Sequence, residues 1–99
     1  MKRKKIGEAV VLKVFDIKKL GIVAGAQVTD GYCSREGNMI VYRGKHKVGS
    51  GKITSLQKEK SAVKEVRKGF ECAFMIDGFD SWQVDDRAEC FVDVRESEA

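Results

Sequence analysis

The sequence predicts an all-β domain, either a small barrel or a sandwich. With 99 residues the chain is long enough for one modest core, and its composition, 42% hydrophobic and 34% charged, is typical of a globular protein. Its apolar segments are short, and turns rich in glycine and aspartate separate them. No helical pattern alternates with these segments, so a parallel α/β sheet is not indicated.

Six segments are predicted to be strands because they combine β-branched or aromatic residues with flanking turn residues. In chain order they are "GEAVVLKVF" at 7–15, "GIVAGAQVT" at 21–29, "MIVYR" at 39–43, "GKITSL" at 51–56, "ECAFMI" at 71–76 and "AECFVDV" at 88–94. The connections "DIKKLG", "TDGYCSREGN", "RGKHKVGSG" and "DGFD" supply the Asp, Asn and Gly of reverse turns. Only "SLQKEKSAVKEVRKG" has helical composition. Its apolar residues are poorly spaced for one helical face, and we predict a loop with a short extended piece at 62–66.

Ten apolar residues are expected to contribute much of the core. They are Val11, Val14, Ile22, Val28, Ile40, Ile53, Val66, Phe74, Ile76 and Val92.

The charges are distributed unevenly along the chain, although the formal net charge is only +4. Residues 1–5 hold four basic side chains and are interpreted as a basic tail or linker remnant, with residues 6–99 as the single domain. Residues 43–68 carry nine basic side chains against two acidic ones, and residues 69–99 carry two against nine. Because salt confines each patch's field to about 10 Å, the basic segment can meet a phosphate backbone. Its lysines can equally serve to keep strand edges soluble.

Residues suited to catalysis or metal binding are scarce. His46 is the only histidine, so no His-supported nucleophile or multi-histidine metal site can form. Cys33, Cys72 and Cys90 lack ligand spacing and are expected to be reduced thiols. The stretch "GKHKVGSGKI" at 44–53 departs from the P-loop pattern and is interpreted as a hairpin turn. We therefore expect no cofactor, no metal and no enzymatic activity in this chain.

Two further features bear on surroundings and location. Asp85, Asp86 and Glu89 are expected to form a solvated acidic edge rather than a cation site. Apolar runs such as "AVVL" and "AFMI" are too short to span a membrane, and the N-terminus lacks the apolar stretch of a signal peptide. The chain is expected to stay in the compartment in which it is made.

Three tracts occur in an order and spacing that resemble a known family. They are "AG-x-x-VTDG" at 24–31, "SL" followed by "V-K-E-V" within 55–66, and "G-F-E-C" at 69–72. From Ile6 to about Val94 the chain resembles the C-terminal domain of bacterial and organellar translation initiation factor 2. The resemblance implies a closed antiparallel β-barrel similar to the second domain of elongation factor Tu. It also implies that GTPase activity resides in another domain of the full-length factor.

The same resemblance implies the partners and the location. The domain would hold the formylmethionine and acceptor end of formylmethionyl initiator tRNA, and it would meet the ribosome through the full-length factor. No membrane partner is expected, and the domain is expected to be monomeric. The expected location is the cytoplasm, or the matrix or stroma if the protein is organellar.

Ten residues are candidates for tRNA and formylmethionine binding under this resemblance. They are Ala26, Gln57, Lys58, Glu59, Lys60, Gly69, Phe70, Glu71, Cys72 and Ala73. The strand that begins with "GFEC" would form one wall of a pocket for the blocked amino acid, since an uncharged formyl amide is cheaper to desolvate than an ammonium group. Ala26, Glu59 and Ala73 stand where the family usually has a cysteine, an aromatic residue and a glycine, which predicts a weaker preference for the formyl group.

Two alternatives remain open at this point. Strand alternation also allows Phe70 and Cys72 to fill the core while Glu71 faces solvent. For the whole domain, the alternative is a divergent structural or interaction barrel that contacts ribosomal RNA or a neighbouring domain without formylmethionine selectivity.

Overall fold

The computed structural model describes residues 2–17, 21–59, 61–79 and 81–94, and every regular element within them is a β-strand. The strands are β1 (Lys2–Ile17), β2 (Gly21–Ser34), β3 (Asn38–Arg43), β4 (His46–Lys58), β5 (Ser61–Ala62), β6 (Glu65–Arg67), β7 (Glu71–Ile76) and β8 (Arg87–Val94).

Six of these strands close into an antiparallel barrel. Their order around the barrel is β1-β8-β3-β4-β7-β2, and β2 pairs back onto β1. The two-residue β5 adds to β4, and β6 adds to the far end of β2. The predicted all-β closed barrel is confirmed, and closure removes the exposed sheet edges that would otherwise favour aggregation.

The barrel closes where β1 and β2 approach each other very closely. Gly7 pairs with Gly31 on one side and with Cys90 of β8 on the other. A side-chain carbon at Gly7 would lie 2.1 Å from the carbonyl oxygen of Tyr32, and Gly31 has a φ of +57°. Glycine is therefore required here both for close approach and for a left-handed backbone conformation.

The core lies inside the barrel, and most of the predicted core residues belong to it. Val11, Val28, Ile40, Ile53, Val66, Phe74 and Ile76 are buried. Ile22 is partly buried and packs against the same cluster. Val92 is only half-buried, and the prediction for Val14 is wrong, since that side chain is 38% exposed. β8 pairs with β1 only as far as Val10, so among the described strands only β2 pairs with the end of β1 that carries Val14.

Two predicted turns contain strand. β2 continues through "TDGYCS" to Ser34, and β4 already begins at His46, within "RGKHKVGSG". Both segments contain glycines, which were interpreted as signs of a turn. Gly49 and Gly51 lie inside β4, where added side-chain carbons would collide with the Phe79 ring and with the carbonyl of Asp77. Such glycines mark close approach rather than chain reversal.

The basic residues at the start of the chain are part of the sheet. Residues 2–5 extend β1 and pair with β8 between Phe91 and Val94. Arg3 lies over the Phe91 ring at 5.8 Å, and Lys5 forms an ion pair with Glu89 at 3.7 Å. The division into a tail at 1–5 and a domain at 6–99 stays a prediction.

One end of the barrel is covered by the segment between β7 and β8. Trp82 is buried there and packs edge-on against Phe79, with ring centroids 4.9 Å apart. Asp86 is also buried, which corrects the expectation of a solvated acidic edge at that position. Its carboxylate accepts hydrogen bonds from Arg43 Nε and Nη2, both at 3.0 Å, and from the Gln83 backbone N–H at 2.9 Å. Among the residues that the structure describes, no helix has the length and apolar character needed to cross a bilayer.

Candidate functional site

A cavity of about 600 Å³ opens beside β7 and is bounded by β1, β2 and β4. Nine of the ten candidate binding residues line it: Ala26, Gln57, Lys58, Glu59, Gly69, Phe70, Glu71, Cys72 and Ala73. The tenth, Lys60, lies outside the described residues. Three tracts that are far apart in the sequence therefore meet at one place.

Sheet register explains why these tracts meet. On one side of β7, Cys72 pairs with Ala26, and Glu71 pairs with Gln27. On the other side, Ala73 pairs with Gln57 of β4. Gln57 is the last β4 residue that pairs with β7, and it pairs with Ala62 of β5 on its other edge. Among the described residues this leaves a gap in strand pairing next to Glu71.

The backbone of β7 has a free edge facing this gap. The Phe70 carbonyl accepts a 3.0 Å hydrogen bond from Val28 N–H on β2. Because a trans peptide unit directs its C=O and N–H in opposite directions, the N–H of Glu71 points away from β2, toward the gap. Among the described residues no strand pairs with Glu71 on that side. The cavity thus offers backbone hydrogen-bonding groups to a ligand.

Side chains alternate along β7, and their burial shows which of the candidate residues lie in the core and which on the surface. Cys72 is buried and contributes to the core, whereas Glu71 is exposed. Phe70 is 50% exposed, so the alternative in which it fills the core is wrong. Burial, and secondarily Cys33, raises the pKa of Cys72 to about 12, so at neutral pH it is an uncharged, polarizable wall.

Lys58 and Phe70 form a contact at the mouth of the cavity. The Lys58 ammonium lies 3.8 Å from the centre of the Phe70 ring, a cation–π geometry that is worth about 0.5–1 kcal/mol at an exposed site. Glu59 follows in the turn between β4 and β5 and has a positive φ of 52°. Glu59 is exposed and directly follows Lys58, the basic residue that lies over the ring.

Five further residues, outside the ten candidates, line the cavity. They are Leu12, Lys13, Phe15, Gly25 and Gln27. The pairing of β1 with β2 shifts between Val11 and Lys13, which leaves Leu12 as the extra residue of a β-bulge. Phe15 lies against Gly25, where an added side-chain carbon would be 2.8 Å from the ring. A glycine inside an apolar strand was the available signal, because it marks a site where another group approaches the backbone closely.

The charged side chains around the cavity are balanced in sign. Lys13 and Lys58 oppose Glu59 and Glu71. Among the described residues, no group of three or more histidine, cysteine or acidic side chains is arranged to hold a metal ion. The backbone edge at Glu71 can bind an uncharged polar group, and Lys13 and Lys58 can each bind an anionic one.

Comparison with known proteins identifies relatives. No family model matches the chain. It is 42% identical over 93 residues to translation initiation factor IF-2 of Magnetococcus marinus, which covers 94% of this chain and 10% of that protein. The same factor of a Synechococcus species is 49% identical over 86 residues, with 87% of this chain and 8% of that protein covered. The resemblance to translation initiation factor 2 is confirmed.

The matched region is a small part of these relatives. The IF-2 of a Nitratiruptor species matches 98% of this chain at 39% identity, yet only 12% of that protein is covered. The chain therefore spans about a tenth of the length of the IF-2 proteins that it matches. The crystal structure of GDP-bound aIF5B from Aeropyrum pernix has a TM-score of 0.69 over 85% of this chain and 16% of that chain. At 17% identity this similarity establishes the fold.

Proposed function

We propose that this domain binds the acceptor end of formylmethionyl initiator tRNA, with the blocked amino acid in the cavity beside β7. The observation that carries the proposal is the free backbone edge at Glu71, next to the uncharged wall formed by Cys72 and Ala26. A formyl amide has one N–H and one C=O, so it can pair with such an edge as an additional short strand would.

The apolar walls favour an uncharged amino acid end. Leu12, Phe15 and the neutral Cys72 thiol give a free ammonium no compensation for its lost hydration, whereas a formylated nitrogen carries no charge. Glu71 also lines the cavity, and its carboxylate can offset part of that penalty for an unblocked amine. The preference for the formyl group is therefore expected to be moderate.

The RNA portion would meet the mouth of the cavity. Lys13 and Lys58 can neutralise phosphates, and the exposed Phe70 ring can stack on the terminal base. Because Lys58 covers one face of that ring, stacking uses the other face or moves the ammonium toward a phosphate. The same proposal includes contact with the ribosome by a longer factor that contains this domain.

A titration followed by NMR tests the proposal. The isotope-labelled chain is mixed with formylmethionyl initiator tRNA and, separately, with its unformylated counterpart. Signals of Lys58, Glu71 and Cys72 are expected to shift with both tRNAs, and at lower concentration with the formylated one. If none of these signals moves up to high micromolar tRNA, the domain is an interaction barrel without this site.

Two variants sharpen the result. Phe70→Leu keeps an apolar side chain but removes the stacking surface, and it is expected to weaken tRNA binding by about 1–3 kcal/mol. Val84→Ala is the control, since Val84 is also exposed but does not line the cavity. Equal binding of both tRNAs would indicate an electrostatic RNA surface rather than a formyl pocket.

A further inference from the structure

Two of the three cysteines lie side by side in the core. The Sγ atoms of Cys33 and Cys90 are 2.6 Å apart, and neither residue is accessible to solvent. A disulfide bond has an S–S distance of about 2.05 Å, so a displacement of about half an ångström would bring the two atoms to bonding distance. Both thiols are free in the structure.

The barrel closure holds these thiols together. Cys33 lies near the end of β2 and Cys90 in the middle of β8, with β1 between the two strands. At the crossing point β1 contributes Gly7, which faces Cys90 and has the backbone of Tyr32 packed directly on it. Because Gly7 has no side chain, β2 can pass over β1 and bring Cys33 to Cys90. The contact is therefore a consequence of the fold rather than of a flexible loop.

We propose that Cys33 and Cys90 are an oxidation site at which hydrogen peroxide forms an intramolecular disulfide joining β2 to β8. In the first step the Cys33 sulfur attacks one peroxide oxygen, the O–O bond breaks, and one water leaves, which gives a sulfenic acid at Cys33. In the second step the Cys90 sulfur attacks the Cys33 sulfur, and the sulfenic oxygen leaves as a second water. Two thiols are oxidised and one peroxide is reduced, with both thiol protons ending in water.

The order of attack follows from the hydrogen bond. The Cys90 thiol donates its hydrogen to the Cys33 sulfur, which makes Cys33 the acceptor and Cys90 the group that keeps its proton. This hydrogen bond, together with burial, raises the pKa of Cys90. Because the thiolate is the reactive form, the reaction is expected to be slow and to favour a small oxidant that can enter the core.

Peptide mapping of the whole chain tests the site. The folded protein is treated with hydrogen peroxide, denatured, alkylated and digested with trypsin without reduction. The three cysteines fall in different tryptic peptides, at 20–35, 69–87 and 88–95. The expected product is peptide 20–35 linked to peptide 88–95, with Cys72 alkylated. Adding a reductant should regenerate both free peptides.

Variants and a second measurement complete the test. Cys72→Ala should retain the link, whereas Cys33→Ala should abolish it, and the wild-type mapping decides even if a variant folds poorly. The oxidised protein should melt on the order of 10 °C higher than the reduced one, because the bond constrains the unfolded chain. The proposal is wrong if all three thiols remain alkylated at peroxide concentrations that oxidise the denatured chain. It is also wrong if Cys72 is linked as often as Cys33. Neither result would bear on tRNA binding.

Discussion

Asp86 is the charged residue whose environment differs most from the sequence expectation. It lies in a run of acidic residues, yet its carboxylate is buried and satisfied by Arg43 and by the Gln83 backbone. Asp86→Asn keeps the shape of the side chain but removes its negative charge, and it replaces one carboxylate oxygen, an acceptor, with an NH2 group, a donor. We expect the free energy of unfolding to fall by about 2–3 kcal/mol in urea denaturation. Glu65→Gln, in the exposed pair with Arg67, should change it by less than about 0.5 kcal/mol, and equal effects would contradict the assignment.

Cys72 gives the stability of the domain a defined dependence on alkaline pH. Its pKa is about 12 in the folded state against an ordinary value of 9, so between these values the unfolded chain loses a proton that the folded chain keeps. The free energy of unfolding should therefore fall with rising pH across this window, by about 1.4 kcal/mol per pH unit for this thiol. Cys72→Ala should show a shallower decline, measured in urea with reductant between pH 8 and 11. Its difference from wild type at pH 7 gives the separate effect of the lost sulfur, and parallel pH profiles would contradict the prediction.

At the scale of elements, apolar segments located the barrel strands but not their ends. All six predicted strand segments lie within β1, β2, β3, β4, β7 and β8, because β-branched and aromatic runs bounded by turn residues are strong local signals. Two of the missing parts, 30–34 of β2 and 46–50 of β4, consist largely of glycine and polar residues. Their extended conformation is imposed by partners on other strands, which a local pattern cannot reveal. The exposure of Val14 likewise depends on where β8 ends.

A substitution where β1 and β2 cross tests whether the stability of the barrel depends on their close approach. In Gly7→Ala the new methyl group would overlap the Tyr32 carbonyl, and two paired strands would have to separate. We expect a loss of stability of about 3 kcal/mol or more, measured by thermal and urea unfolding. Gly44→Ala is the matched control, because its methyl group would meet no atom within 4 Å and only the positive φ of 66° is unfavourable, at about 1–2 kcal/mol. A Gly7→Ala protein as stable as the control would show that the two strands can move apart easily.

At the scale of the whole molecule, the barrel brings tracts that are distant in the sequence together around one cavity. Sequence resemblance selected nine residues that line it, but the contribution of β1 through Leu12 and Phe15 depends on the bulge and on closure of the sheet. The charge pattern along the chain was also an incomplete guide. The segment 43–68 is strongly basic, yet Lys58 is the only one of its described basic residues that lines the cavity, and the acidic Glu59 follows it directly. Local charge at the cavity, rather than the net charge of +4, should therefore govern RNA binding.

The position of Glu59 allows local and net charge to be separated. Glu59→Gln and Asp93→Asn each remove one negative charge while keeping the side-chain shape. Glu59 lines the cavity, whereas Asp93 is exposed on β8, which does not border it. If tRNA phosphates run past Lys58, Glu59→Gln should tighten binding several-fold at low salt, and Asp93→Asn should leave it nearly unchanged because salt screens distant charges.

The measurement is the tRNA dissociation constant of each protein at a series of salt concentrations. Each phosphate neutralised contributes about −0.7 to −0.9 to the slope of log affinity against log salt, so a wild-type slope of about −1 to −2 is expected from Lys13 and Lys58. Equal gains in both variants would mean that net charge controls association, and a slope near zero would place the RNA backbone away from this face.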